Sequence, residues 1–68
     1  MNEIKINTDI IKLDAFLKWS AIASSGAEAK MLIQDGLVFV NGEVCVQRGK
    51  KLKVNDIITF QEEDYKLV

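Results

Sequence analysis

Residues 37–46 read LVFVNGEVCV, and this stretch decides the fold of the chain. Two apolar runs flank the dipeptide Asn41-Gly42, which is typical of a type I′ turn because both of its positions tolerate a positive φ. The stretch therefore predicts a β-hairpin, with strands at residues 37–40 and 43–46. No other short segment of the chain carries so strong a signal for a single local structure.

Upstream of the hairpin, apolar residues recur at the i, i+3, i+4 spacing of an amphipathic helix. The residues that form the two stripes are Leu13, Phe16 and Leu17, then Ala29, Leu32 and Ile33. Thr8 or Asp9 is expected to begin a capped turn that leads directly into the first helix. The small residues 20–25 then connect the two helices.

The second helix is predicted from about Gly26 to Asp35. Ser24 or Ser25 suits its N-cap, and Glu28 follows Ser25 at the spacing of a capping box. Gly36 stands where a left-handed residue ends a helix. Both ends of this helix are thus signalled locally.

Three further strands complete the predicted fold, at residues 3–6, 57–60 and 65–68, the first and last of them at sheet edges. Residues 54–56 read as a turn in which Asn55 tolerates a left-handed conformation. The expected fold class is α+β, with two short helices packed on a small, mainly antiparallel sheet. One domain is expected to span residues 1–68.

Composition argues against catalysis. The 68 residues include no histidine and a single cysteine, Cys45, so neither a common general base nor a zinc ligand set is available. The glycines are too sparse for a phosphate-binding loop. We expect no enzyme activity, no cofactor, no metal and no small-molecule substrate. The lone cysteine, the absence of a long apolar run and the lack of a signal-peptide pattern predict a cytoplasmic protein without membrane contact.

The net charge of −1 and the pI of 5.2 do not favour nucleic-acid binding, but the distribution of the charges does. Four of the nine basic residues fall within positions 48–53, whereas acidic residues gather at positions 62–64. A local basic surface is sufficient to neutralise phosphates. The alternative is that residues 48–53 form an ordinary solvated loop.

The ordered motifs in this chain span about residues 12 to 60. They are Lys12-Leu13-Asp14-x-x-Leu17, Ser24-Ser25-x-x-x-Ala29-x-x-Leu32-Ile33-x-x-Gly36-x-Val38-x-Val40-Asn41-Gly42 and Val54-x-Asp56-x-Ile58. This combination resembles the S4 RNA-binding domain family, and within it the small bacterial stand-alone proteins of the YaaA/YbcJ type. The resemblance implies helices against a curved sheet, the alpha-L RNA-binding motif. It also implies binding to structured RNA, often ribosomal RNA. Our hypothesis is that the protein docks as a monomer on ribosomal RNA of the large subunit or its assembly precursor.

The physics of these motifs predicts an RNA-binding site. The N-terminus of the second helix offers free N–H groups to a phosphate, small residues there permit close approach, and cations from three segments surround it. An exposed Phe39 would stack on a base or ribose. The candidate residues are Lys12, Ser24, Ser25, Gly26, Lys30, Phe39, Asn41, Arg48, Lys50 and Lys51.

Two departures from the family pattern leave alternatives open. Many S4 domains carry arginine at the position of Lys12 and Ser-Arg in place of Ser25-Gly26, and arginine grips phosphate with two hydrogen bonds. If these departures mean that the RNA surface has decayed, the chain would be a protein-interaction module in which Phe39, Trp19 and Met31 form an apolar patch. A third alternative is that the chain is the targeting partner of a separate RNA-modifying enzyme. Trp19 is predicted to pack in the core rather than to stack on a base.

Overall fold

The computed structural model describes all 68 residues and contains two helices and seven strands. In chain order these are β1 (Asn2–Ile4), β2 (Ile10–Lys12), α1 (Leu13–Trp19), α2 (Gly26–Gln34), β3 (Val38–Val40), β4 (Glu43–Val44), β5 (Lys51–Lys53), β6 (Ile57–Phe60) and β7 (Glu63–Leu67).

The strands form two sheets. Five of them lie in the order β1-β7-β6-β3-β4, and all neighbours are antiparallel except β1 and β7, which are parallel. Strands β2 and β5 form a separate antiparallel pair. The predicted α+β fold with a mainly antiparallel sheet is confirmed.

The predicted hairpin forms at the predicted turn. Asn41 and Gly42 have φ values of 51° and 87°, the two positive angles of a type I′ turn. Strand β4 is assigned only to residues 43–44, yet the Cys45 N–H still donates to the Val38 carbonyl at 2.9 Å. The ladder therefore continues one residue beyond the assigned strand.

One apolar core joins the helices to both sheets. Leu13, Phe16 and Leu17 of α1 are fully buried, as are Ala29 and Ile33 of α2. The sheets contribute buried residues at Val38, Val40, Leu52, Ile58 and Leu67. Each fully buried large aliphatic or aromatic side chain stabilises the fold by about 1.5–3 kcal/mol relative to its exposed state. The first predicted stripe is confirmed as core, and so are Ala29 and Ile33 of the second, whereas Leu32 is partly buried and packs against the core.

The start of the first helix differs from the prediction. No capped turn at Thr8 or Asp9 leads into α1. Residues 10–12 instead form strand β2, which pairs with β5, and α1 begins only at Leu13. Within the basic stretch at residues 48–53, for which a solvated loop was the alternative, residues 51–53 form strand β5 through the same pairing. Each strand exists because of the other, and 38 residues lie between the end of β2 and the start of β5.

Two smaller predictions also change. Trp19 is 54% exposed, so the prediction that it packs in the core is wrong; its indole N–H donates to the Lys5 carbonyl at 2.9 Å. The sequence predicts the last strand at a sheet edge, but β7 lies between β6 and β1 because β1 pairs with it in parallel.

Cys45 is half-buried against the core, as a small hydrophobic residue would be.

Candidate nucleic-acid interface

The N-terminus of α1 is closed by the chain segment between β4 and β5. The Leu13 N–H donates to the Lys50 carbonyl at 2.8 Å, and the Asp14 N–H donates to the Arg48 carbonyl at 3.1 Å. Lys12 occupies the N-cap position, but its side chain makes no capping hydrogen bond. First-turn N–H groups have no acceptor within their own helix. These two carbonyls therefore satisfy the helix and at the same time hold Arg48 and Lys50 beside it.

Strand pairing adds two more cations at the same place. Lys12 of β2 lies directly opposite Lys51 of β5, and both side chains are exposed. Like charges that face each other across a strand pair are destabilising. We name Lys12, Arg48, Lys50 and Lys51 the basic cluster. The single salt bridge of the protein, at 3.6 Å, joins Lys53 to Asp56, so no member of the basic cluster forms an ion pair.

The N-terminus of α2 is arranged differently. Ser25 is the N-cap, as predicted, and its Oγ accepts a hydrogen bond from the Glu28 N–H at 3.1 Å. The Glu28 carboxylate accepts from the Ser24 N–H at 2.6 Å, one residue before the position of a standard capping box. A Cβ at Gly26 would meet nothing within 4 Å, so the approach to the helix end is open. Glu28, however, places a negative charge where a phosphate would bind.

Lys30 lies on the exposed side of α2, one turn after the helix begins. Gly26 lies on the same helix, and Ser24 and Ser25 directly precede the helix. Helix α2 packs against α1. The structure thus brings Lys12 together with Arg48, Lys50 and Lys51, and carries residues 24–26 and Lys30 on a separate, adjoining element.

The hairpin contributes an apolar surface. Phe39 is 40% exposed and lies opposite Val44 on one side and Thr59 on the other. Leu37 and Val46 are exposed near it. Phe39 is therefore one of several exposed apolar side chains on the hairpin and its flanks. Trp19 and Met31, also exposed, come from the helices.

A concavity of about 400 Å³ links the hairpin with the basic cluster. It is lined by Val40, Asn41, the five residues 43–47 and Lys50. We name it the hairpin groove. Asn41 and Lys50, both candidate site residues, face this one space although nine positions separate them in the chain.

The side chain of Asn41 is held by the turn between β5 and β6. Its Nδ2 donates to Asp56 Oδ1 at 3.1 Å, and its Oδ1 accepts from the Ile57 N–H at 2.9 Å. The second Asp56 oxygen accepts from the Lys53 N–H at 2.9 Å. Asp56 is the one buried charged residue of the protein. The sequence placed it in a turn and in the motif Val54-x-Asp56-x-Ile58, but did not indicate that it is buried or that it bonds to Asn41.

Burial of the Asp56 carboxyl tends to raise its pKa, but hydrogen bonds act in the opposite direction. The Lys53 backbone N–H and the Asn41 amide both donate to the carboxylate, and the Lys53 ammonium adds its charge. The pKa of Asp56 is therefore lowered from its ordinary value of 3.8. The side chain is ionised at neutral pH.

The basic cluster depends on strand β5, which sequence reasoning missed. The alternation Lys51-Leu52-Lys53, with Leu52 fully buried and both lysines exposed, is the signal that indicates it. An alternation over only three residues is a weak strand signal, and the glycine and charged residues around it favour a loop.

No three His, Cys, Asp or Glu side chains are grouped so as to hold a metal ion. Neither helix is long and apolar enough to cross a membrane.

Comparison with known proteins gives a consistent result. The family model described as S4 domain matches residues 4–68. The chain is 38% identical over 60 residues to the probable ribosome maturation protein RlbA of Bacillus subtilis (strain 168), covering 88% of this chain and 84% of that protein. Its fold is also that of the crystal structure of the 30S ribosomal protein S4e from Thermoplasma acidophilum, with a TM-score of 0.66 and 22% identity over 88% of this chain. The chain spans 32% of that ribosomal protein. Since the family match takes in nearly every residue, this chain belongs to the S4 domain family.

Proposed function

We propose that this protein binds structured RNA without catalysing a reaction, and that its target is ribosomal RNA of the large subunit or its assembly precursor. The observation that carries the proposal is the basic cluster. Four cationic side chains from two strands and a loop lie around the start of α1, with Lys12 directly opposite Lys51 and no carboxylate paired with any of them.

Such a cluster has an electrostatic cost that a phosphate backbone removes. Opposed lysines repel each other in the free protein, and the positive end of the α1 dipole adds to the same field. Phosphates that approach the cluster neutralise it and release the counterions condensed on the RNA. The cluster therefore favours a polyanion over solvent.

The net charge of −1 is compatible with this site, because the acidic residues gathered at positions 62–64 belong to the β6–β7 hairpin of the other sheet. One acid, Asp14, does stand at the start of α1, where its carboxylate accepts a hydrogen bond from the Ala15 N–H at 2.7 Å. Glu62 lies in the turn between β6 and β7, and Glu63 is the first residue of β7 in the five-stranded sheet, whereas Lys12 and Lys51 belong to the separate two-stranded sheet. Asp64 accepts a hydrogen bond from the Thr59 hydroxyl at 2.7 Å, and the Glu63 carboxylate accepts one from Asn2 at 3.0 Å. These acids are partly engaged in the sheet.

The remaining candidate residues extend the proposed contact in two directions. The open approach at Gly26 and the exposed Lys30 would hold a second stretch of RNA backbone along α2. On the other side, the hairpin groove leads from Lys50 to Asn41, near Phe39, whose exposed ring would stack on an unpaired base or ribose. Structured RNA, with both paired and unpaired regions, suits this mixture of contacts better than a regular duplex does.

The ribosomal target is supported by the relatives. The Bacillus protein that is 38% identical carries the name of a probable ribosome maturation protein, and the family is the S4 domain. A non-catalytic role agrees with a chain that has no histidine and one cysteine. We further propose that the protein acts as a monomer and requires no cofactor.

Titration of purified large-subunit ribosomal RNA at several salt concentrations tests the proposal. With roughly three to five phosphate contacts, log K should fall with log salt at a slope of about −0.9 per contact. Lys30→Ala and Arg48→Glu should each weaken binding, whereas Lys18→Ala, at the far end of α1, is the matched control. Binding that ignores salt, or variants that bind like the unaltered protein, would contradict the proposal.

A protein-interaction role remains as a second candidate, favoured by one observation. Leu37, Phe39, Val44 and Val46 are all at least 40% exposed on the hairpin and its flanks, an unusual density of large apolar side chains at a sheet edge. Sedimentation with ribosomal particles separates the two roles. Association that survives complete nuclease digestion would favour a protein partner, and association lost with the RNA favours the proposed function.

A further inference from the structure

Asp56 connects three parts of the chain that lie apart in sequence. Its carboxylate accepts hydrogen bonds from the Asn41 side chain in the β3–β4 turn and from the Lys53 N–H at the end of β5. Its backbone carbonyl accepts from the Leu67 N–H of β7 at 3.0 Å. The residue is thereby fixed on the large sheet while its side chain reaches both the hairpin and the basic strand.

The orientation of the Asn41 amide is determined by its neighbours. Its Oδ1 accepts from the Ile57 N–H, so its Nδ2 must point toward Asp56. The Asn41 backbone N–H also donates to the Ile57 carbonyl at 2.7 Å. Each end of the side chain thus makes one hydrogen bond within the protein, and these two bonds fix its orientation.

We propose that Asp56 and Asn41 are a positioning pair, which holds the β3–β4 hairpin at a set distance from strand β5 and so fixes the hairpin groove relative to the basic cluster. The inference rests on the proposed function, since the two surfaces need a fixed spacing only if one RNA contacts both. On this view Asn41 affects RNA binding by holding the hairpin in position, and it does not contact the RNA itself.

The geometry explains why the pair consists of one amide and one carboxylate. The Asn41 side chain supplies one donor to Asp56 and one acceptor to Ile57, and the Asp56 carboxylate supplies two acceptors. A second amide at position 56 would set two donors against each other if it kept the Lys53 bond. A second carboxylate at position 41 would set two negative charges against each other. Only the exchanged pair, Asp at 41 and Asn at 56, satisfies every one of these bonds again.

This reciprocity gives a test with a built-in rescue. The variants are Asp56→Asn, Asn41→Asp and the double variant with both changes, and the probe is purified large-subunit ribosomal RNA. Each single variant should raise Kd about tenfold, the effect of losing about 1.4 kcal/mol. The double variant, which has the net charge of the unaltered protein, should return to within about threefold of its Kd.

The sign of the Asp56→Asn effect separates positioning from simple electrostatics. This change removes a negative charge near the basic strand, so a purely electrostatic role predicts tighter RNA binding. Positioning predicts weaker binding. Tighter or unchanged binding by a folded Asp56→Asn protein would overturn the inference. So would a double variant that regains the native amide spectrum but not the affinity, because Asn41 would then contact RNA directly.

Amide chemical shifts, recorded without RNA, test the geometry independently of the proposed function. In each single variant the signals of residues 41–47 and 48–53 should move together, and in the double variant they should return. Shifts confined to the substituted residue and its neighbours would overturn the positioning role even if RNA binding proved correct. If the unaltered protein failed to bind RNA while the shifts behaved as expected, the proposed function alone would fail. Should Asp56→Asn not fold, the exposed position 41 allows Asn41→Ala to be read in the same two measurements.

Discussion

The two helices begin in different ways, and the difference indicates where ligand contact is expected. At α1 the first N–H groups bond to backbone carbonyls of Arg48 and Lys50, so the tip is closed and the side chains of that segment remain free. At α2 the cap is made by the Ser25 hydroxyl, and the Glu28 carboxylate turns back to Ser24. Both helices carry an acid in the first turn, Asp14 and Glu28, but only α1 has cations on the segment that caps it.

The α1 end is the less favourable of the two for the isolated protein. Cations beside the positive end of a helix dipole oppose the usual preference for acids there, and only Asp14 follows that preference in the first turn. Local rules of this kind are most often broken where a protein has a function to perform. The α2 end follows the rules, with a serine cap and an acid in the first turn. The comparison therefore points to the basic cluster as the main site and to the start of α2 as an accessory one.

The largest effect should come from removing the anchor of the basic strand. Leu52 is fully buried between exposed Lys51 and Lys53. Leu52→Ala should lower the free energy of unfolding by about 2–5 kcal/mol and loosen the segment that closes α1. Equilibrium unfolding in urea measures the loss. Val54→Ala, at a residue 46% exposed, serves as control and should stay within about 0.5 kcal/mol; equal losses for both variants would show that β5 is not anchored by its core residue.

Next in size is a comparison of two lysines on the same face of β5. Lys51 has no ion partner and faces Lys12, whereas Lys53 pairs with Asp56. Lys51→Ala should weaken binding to large-subunit ribosomal RNA about fivefold, or ~1 kcal/mol. The slope of log K against log salt should fall by about 1 in magnitude, as expected for the loss of one phosphate contact. The variant should leave stability unchanged or slightly raised, because a repulsion is relieved. Lys53→Ala should affect RNA binding less, and the reverse ranking would argue against the basic cluster as the centre of the site.

The cap of α2 provides a test on stability alone. Ser25→Ala removes the acceptor of the Glu28 N–H and should cost about 1 kcal/mol, which lowers the melting temperature by about 4–8 °C in a domain of this size. Ser24→Ala is the matched control, because Glu28 bonds mainly to the Ser24 backbone N–H. Thermal unfolding followed by circular dichroism distinguishes them. At α1 the N-cap residue Lys12 makes no side-chain capping bond, and the side-chain acceptor in the first turn is Asp14, which bonds to the Ala15 N–H at 2.7 Å. Truncation of the Lys12 side chain should therefore have no comparable effect on stability.

The smallest expected effect is that of Glu28→Gln, which should lower stability and raise RNA affinity. Glu28→Gln removes the negative charge from the open end of α2 while keeping an acceptor for Ser24. Stability should fall by about 0.3–1 kcal/mol because the dipole loses its favourable partner. RNA affinity should rise about twofold to threefold if a phosphate approaches this end, since roughly 0.5 kcal/mol of repulsion is removed. Glu62→Gln, in the distant β6–β7 turn, is the control; a gain of equal size there would reflect net charge alone.

Prediction from sequence succeeded where a few adjacent residues decide the backbone. Asn41-Gly42 formed the expected turn, Ser25 capped α2, and Gly36 and Asn55 took the left-handed conformations assigned to them, with φ of 74° and 81°. Prediction failed at Trp19 and at strands β2 and β5. A three-residue strand is stable only with its partner, and the exposure of Trp19 follows from where α1 ends relative to Lys5.

The sequence by itself determined the two helical stripes, the hairpin and the presence of a basic segment, because each depends on spacing within a few residues. Only the tertiary structure decided that Lys12 faces Lys51, that the carbonyls of Arg48 and Lys50 close α1, and that Asp56 holds Asn41. These contacts join residues up to 39 positions apart. Their partners are selected by how the whole chain packs around Leu52 and the two helices, and local propensity does not contain that information.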